Sequence, residues 1–228
     1  WYINILHTIF AQETQIREQQ AFLNDIAYPL GMQDINEETV HYTKDTSKSI
    51  YPAIQYDLSA RDMAKFGQLC LNKGKWQGKQ LVPEEYFGKI VTDYTKTGNN
   101  GWGSGHGYLW WVPCDSVAKK DGIPEGTFYA SGAGCQRIIV IPQWNSVVIH
   151  KSFINAEAGL KLYAIQQGYT KEYVMDNLDS VVEEFIDFIY NKCTESEYSE
   201  NEICKICTPV KVDDFYNLMK MVFDARVK

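Results

Sequence analysis

In the stretch LSARDMAKFGQLCLNKG, the apolar residues Met63, Phe66, Leu69 and Cys70 fall on one face of an α-helical period. That spacing predicts an amphipathic helix. Ser59 stands at its N-cap with Asp62 three residues on, as in a capping box, and Gly74 ends it. Residues 12–27 read as another helix, stopped by Pro29, and Pro83 opens a short one. Toward the C-terminus, Leu178, Val181, Phe185, Phe188 and Ile189 share a stripe that predicts a helix from Tyr173 to Lys192. A last amphipathic helix is expected over about 212–225, using Phe215, Leu218, Met219, Val222 and Phe223.

Between these helices the pattern changes. YLWWV, FYASGAGCQRIIVIP and SVVIHKSF are apolar runs rich in β-branched and aromatic residues, and they read as strands. The last two are separated by the short PQWNS, so they are expected to pair antiparallel. Alternation along YLWWV would turn one of Trp110 and Trp111 into the core and the other to the opposite face. Residues 33–49 and 114–126 are polar and read as loops, and NNGWGSGHG reads as a glycine-rich loop. The order of elements predicts an α+β fold, an antiparallel sheet flanked by helices. The expected organisation is a main domain over 1–192, then an acidic linker and helical extension over 193–228.

Hydrophobic residues make up 45% of the 228, enough for a full core, so wholesale disorder is not expected. The net charge of −7 and the lack of a Lys/Arg cluster argue against nucleic-acid binding. No apolar run approaches the roughly 18–20 residues of a membrane span. The chain begins at Trp1, so a longer gene product is expected, and a secreted or extracytoplasmic location is slightly favoured. Cys70 lies on a helix stripe and reads as a small core residue. Cys193, Cys204 and Cys207 cluster near the C-terminus. Three cysteines with no nearby His make a poor zinc site, which leaves a disulfide or free thiols. The histidines His7, His41, His106 and His150 are scattered, with no H-E-x-x-H, and the sequence calls for no metal or cofactor. His106, ahead of YLWWV, stands either at a pocket edge or on a surface loop.

Five pieces in order carry a resemblance: PLGM, SARDMAKFGQLCLNKGKWQGKQLVP, HGYLWWV, YASGAGCQRIIVIP and SVVIH. Together they resemble the C-terminal half of the serine β-lactamase-like hydrolases, the class C β-lactamase, DD-peptidase and esterase relatives. The match covers roughly residues 25–155, and 1–190 more loosely. The resemblance implies acyl transfer through a serine in S-x-x-K, assisted by a Tyr in Y-x-N and a K-T-G-type motif on an edge strand. Tyr2-Ile3-Asn4 matches Y-x-N, which would make Tyr2 the acid/base phenol and Asn4 a substrate-positioning amide. Ala130-Ser131-Gly132 matches the third motif in a small-residue form. Substrate would lie against this backbone, with the Ser131 hydroxyl and the Ala133 N–H, a second oxyanion donor, turned toward it. Ala130 brings no cation for a β-lactam carboxylate, and Cys135 stands where relatives often carry glycine.

Two literal motifs are set aside. Lys96-Thr97-Gly98 precedes the WW strand instead of following it, and Ser116-Val117-Ala118-Lys119 lies in a polar stretch with no apolar periodicity. The expected nucleophile and its Lys therefore lie N-terminal to Trp1 or on a partner chain. The implied partners are a small-molecule or peptide substrate and the missing N-terminal segment. A sheet lacking that segment would expose apolar surface, so poor solubility of these residues alone is expected. A non-catalytic scaffold or complex subunit is the competing expectation.

Overall fold

The structure is a computed structural model. It describes residues 2–43, 49–97, 101–132, 135–152, 156–193, 195–198, 200–207 and 212–226. These form two compact units, 1–131 with 137–150, and 132–136 with 151–228. Helices mix with small antiparallel sheets, in agreement with the α+β expectation. Among the described residues, no helix is long and apolar enough to cross a membrane.

The first unit opens with α1 (Tyr2–Thr14), α2 (Glu18–Ala21) and a π-helical turn, Phe22–Ala27. The helix expected over 12–27 therefore starts earlier and is broken, because Gln15 turns left-handed (φ 59°) and Arg17 is extended. The stretch 33–49, expected as loop, contains strand β1 (Val40–Thr43), which pairs antiparallel with β2 (Ala53–Tyr56), Val40 opposite Tyr56. An Asn36 turn launches it: the Asn36 side-chain oxygen accepts the N–H groups of Glu38 (2.8 Å) and Thr39 (3.1 Å).

Helix α3 (Ala60–Leu71) forms as its pattern demands. Ser59 Oγ accepts the Asp62 N–H at 3.1 Å. The Asp62 carboxylate does not close the capping box. It is fully buried and instead accepts the N–H groups of Gln33 and Asp34, both at 2.9 Å, fixing the segment just after PLGM. A hairpin, β3 (Lys75–Trp76) with β4 (Lys79–Gln80), and α4 (Glu84–Ile90) come next.

Strands β5 (Thr95–Lys96) and β6 (Gly105–His106) pair antiparallel, Thr95 opposite His106. Helix α5 (Asp115–Asp121) replaces the loop expected over 114–126. Its only buried residue is Val117, so it leaves no apolar periodicity to read. Acidic Asp115 opens it, Lys119 and Lys120 close it, and left-handed Gly122 caps it, all favourable to a helix dipole. The run FYASGAGCQRIIVIP divides into β7 (Phe128–Gly132) and β8 (Gln136–Ile141), and β9 (Ser146–His150) completes a three-stranded sheet in the order β7-β8-β9. The β8–β9 pairing is antiparallel, as expected, with Ile139 opposite Val148.

Helix α3 lies on β9. A methyl group added at Gly67 would stand 2.5 Å from Val147 Cγ1, so only glycine lets the helix sit this close. Met63, Cys70, Phe87, Trp110, Phe128, Ile138 and Val140 form the core beneath it. A second cluster gathers Leu23, Ala27, Leu30, Met32, Val40 and Leu69, so the PLGM residues Leu30 and Met32 are core.

In the second unit, α6 (Ala156–Gln166) precedes α7 (Lys171–Asp176) and α8 (Leu178–Asp187). The expected single helix over Tyr173–Lys192 is interrupted at Asn177, whose φ/ψ of −126°/30° is not helical. Of its predicted stripe, Val181 and Phe185 are buried while Leu178 is exposed. Tyr163, Phe185, Ile203 and Cys207 make this unit's core, with α9 (Glu202–Cys207) against α6. Cys193 and Cys204 form a disulfide with Cα atoms 5.2 Å apart, and Cys207 stays a thiol. In α10 (Val212–Arg226), Phe215, Met219 and Phe223 are buried, whereas Leu218 and Val222 of the expected stripe are exposed.

Candidate functional site

A cleft of about 620 Å³ opens in the first unit, lined by residues that include Leu6, Tyr86, Thr95, His106, Leu109 and Trp111. Three pieces of chain build most of it: α1 through Leu6, the β5–β6 pair through Thr95 and His106, and the YLWWV segment. That segment is not the strand its composition predicts. Leu109 is left-handed (φ 62°), and the Gly107 N–H donates to the Trp110 carbonyl at 2.8 Å, so the chain turns here. A methyl group at Gly107 would run into the Ile90 carbonyl, which is why glycine stands at that point.

The turn sends the two tryptophans to different places. Trp110 is buried against Phe128 and stacks with Phe66. Trp111 bridges His106 on one side and Tyr129 on the other. It exchanges both backbone hydrogen bonds with Tyr129, each 2.9 Å, and its ring lines the cleft beside His106, centroids 4.8 Å apart. The expectation of one core tryptophan and one on another face therefore holds, through a turn and not through strand alternation.

Strand β7 leads out from Tyr129. Phe128 and Tyr129 are buried, Ala130 is half-buried, and Ser131 and Gly132 are exposed. The predicted third motif is therefore the open end of a strand whose other end is core. Ala133 lies outside the described residues. Cys135 is buried and left-handed (φ 63°). Glycine takes that conformation freely, and in a residue with a Cβ it costs about 1–2 kcal/mol.

Helix α1 begins with the predicted Y-x-N. The Tyr2 side chain lies outside the described residues, and Asn4 is half-buried, its carbonyl accepting the Thr8 hydroxyl at 2.9 Å. Helix α1 also carries a close approach that the sequence hides. His7 is buried, its Nδ1 3.4 Å from Glu18 Oε2, while Glu18 Oε1 accepts the Tyr56 hydroxyl at 2.7 Å. Burial, and then this bond, push the Tyr56 phenol well above its ordinary range. A His and a Glu on different helices carry no spacing signal, so the scattered histidines did not announce this pair. His41 likewise stands 3.9 Å from Asp57.

The two set-aside motifs differ in outcome. Ser116 is on helix α5, not in a loop, but it is exposed and its hydroxyl is 3.3 Å from Cys114 Sγ. Hydrogen bonding to Ser104, then to Ser116, brings the Cys114 thiol down to about 7. Thr97 lines the cleft, its hydroxyl donating to the Gly103 carbonyl at 2.6 Å, while Gly98 lies outside the described residues.

No family model matches the chain. An uncharacterized protein of Alkalihalophilus pseudofirmus is 30% identical over 95 residues, 40% of this chain and 28% of that protein. Among solved structures, a Bacillus anthracis protein described as a candidate 6-aminohexanoate-dimer hydrolase is 26% identical, with a TM-score of 0.47. That likeness covers 65% of this chain and 36% of the other. The chain thus spans well under half the length of either protein.

Proposed function

We propose that these residues are the substrate-binding, C-terminal portion of a serine β-lactamase-like hydrolase that acts by acyl transfer on an ester, amide or peptide. One observation carries the reading: a single cleft is bordered by the helix that begins with Y-x-N and by the residue paired to the A-S-G strand. Leu6, two residues after Asn4, lines it from α1, and Trp111, bonded to Tyr129 two residues before Ser131, lines it from the sheet. The motif residues Asn4, Ala130, Ser131 and Gly132 do not themselves line it; what supports the reading is that the helix carrying the first motif and the partner of the strand carrying the other border one opening.

In this reading Tyr2 relays the proton between nucleophile and leaving group, and Asn4 holds the substrate amide. Ala130, Ser131 and Gly132 let the substrate backbone lie along the strand end, and the Ala133 N–H completes the oxyanion hole. In this reading the nucleophilic serine and its lysine are supplied by chain outside these 228 residues. Acyl transfer of this kind calls for no metal or cofactor.

A second reading, a non-catalytic scaffold of the same family, is favoured by Cys135. A buried, left-handed cysteine beside the proposed oxyanion turn spends backbone strain where relatives use glycine. Intact-mass spectrometry of the natural protein after a fluorophosphonate probe separates the two. The hydrolase gives one adduct, on a serine N-terminal to Trp1. No adduct on folded protein supports the scaffold, and an adduct on Ser116 would reassign the nucleophile.

A further inference from the structure

We propose that the cleft takes an uncharged, apolar acyl or aryl group and discriminates against carboxylate-bearing ligands. This inference rests on the reading of the cleft as a substrate site and narrows its substrate class.

The walls decide the class. Leu6, Leu109, Tyr86, Tyr108 and Trp111 supply most of the lining, and among the described residues no Lys, Arg, Asp or Glu lines the cleft. The charged neighbours are turned elsewhere. Lys96 sits between Thr95 and Thr97, so strand alternation points it to the opposite face. The Asp93 carboxylate accepts the His106 backbone N–H at 3.3 Å. Arg137 lies over the Tyr129 ring, 5.8 Å from its centroid, and does not line the opening.

An anion placed against such walls meets no Lys or Arg to offset the hydration it gives up, whereas an apolar group removes water from aromatic faces. The volume of about 620 Å³ is in the range of small-molecule clefts, roughly 300–1,000 Å³. The Thr95 hydroxyl and the His106 imidazole stand on one wall, on paired residues of β5 and β6. They can hydrogen-bond one carbonyl or ether oxygen and so orient a neutral ligand without asking it for charge.

The test is equilibrium binding to the full-length protein, read by displacement of the neutral fluorophore N-phenyl-1-naphthylamine. Two competitors of matched size are compared, neutral hexanophenone and anionic 6-phenylhexanoate. The neutral competitor is expected to bind at least about 10-fold tighter. Leu109→Asp puts a charge in the cleft at a left-handed position that Asp tolerates, and Leu6→Asp does so from exposed α1. Each is expected to weaken hexanophenone at least about 10-fold with unchanged circular dichroism. Equal binding of the anion, or no effect of either variant, would overturn the inference. Serine labelling is a separate readout. An adduct without neutral selectivity defeats this inference alone, and selectivity without an adduct defeats the hydrolase reading alone.

Discussion

Replacing Asp62 by Ala removes a buried carboxylate that holds two backbone N–H groups, those of Gln33 and Asp34, at 2.9 Å each. Hydrogen bonds to a charged group contribute about 1.5–3 kcal/mol each. Gln33 is exposed and Asp34 half-buried, so water recovers part of the loss, and the low end applies. The expected cost is about 3 kcal/mol. In urea, with a slope of about 3 kcal/mol/M, the midpoint then falls by about 1 M. Asp62→Asn keeps one acceptor and turns an amide donor toward the other N–H, so it recovers at most half. Arg61→Ala is the control. It deletes the exposed two-pronged pair with Asp34, both bonds 2.9 Å, and is expected to cost less than about 1 kcal/mol. Tryptophan fluorescence reports the transition. An Asp62→Ala midpoint within about 0.2 M of the parent (about 0.6 kcal/mol at that slope), or a larger loss from Arg61→Ala, would refute the assignment of Asp62 as the anchor.

Three further outcomes are expected. Gly159→Ala pushes a methyl group into Cys207 Sγ and toward the Phe185 ring, and should destabilise the second unit by about 2 kcal/mol in thermal or urea unfolding. Iodoacetamide should modify Cys114 with a rate that rises through about pH 7, because only the thiolate attacks, while Cys70, whose thiol burial pushes up to about 12, stays silent in folded protein. Peptide mapping checks both, and a Cys114 rate still climbing steeply above about pH 9 would contradict its environment. Cys193→Ser with Cys204→Ser should lower stability by about 2–3 kcal/mol, since the bridge closes an 11-residue separation, and an unchanged unfolding midpoint would argue against it.

Periodic elements with matching caps were legible in the sequence. Helix α3 announces itself by stripe, cap and terminal glycine, and the β8–β9 hairpin by two apolar runs across a short turn. Elements whose stability comes from elsewhere were not. Helix α5 buries one side chain and rests on capping and charge order, so no stripe marks it. YLWWV has a strand's composition, but the left-handed Leu109 and the contact at Gly107 fold it into a turn. At the site, the motifs pointed to α1 and to β7. The aromatic cleft joins residues from separate segments, none of them a residue of those two motifs, and the close approach of His7 to Glu18 is tertiary. Neither leaves a local pattern.

The Cys193–Cys204 bridge spans the acidic segment that runs between two helices. A protease cutting inside that span would therefore produce two fragments that remain one covalent molecule. The nicked protein would keep its mass on a non-reducing gel and shed the C-terminal helices only after reduction. In an oxidising environment the segment can be cleaved while α9 and α10 stay tethered through sulfur, whereas the same cut under reducing conditions releases both helices from the backbone that precedes them.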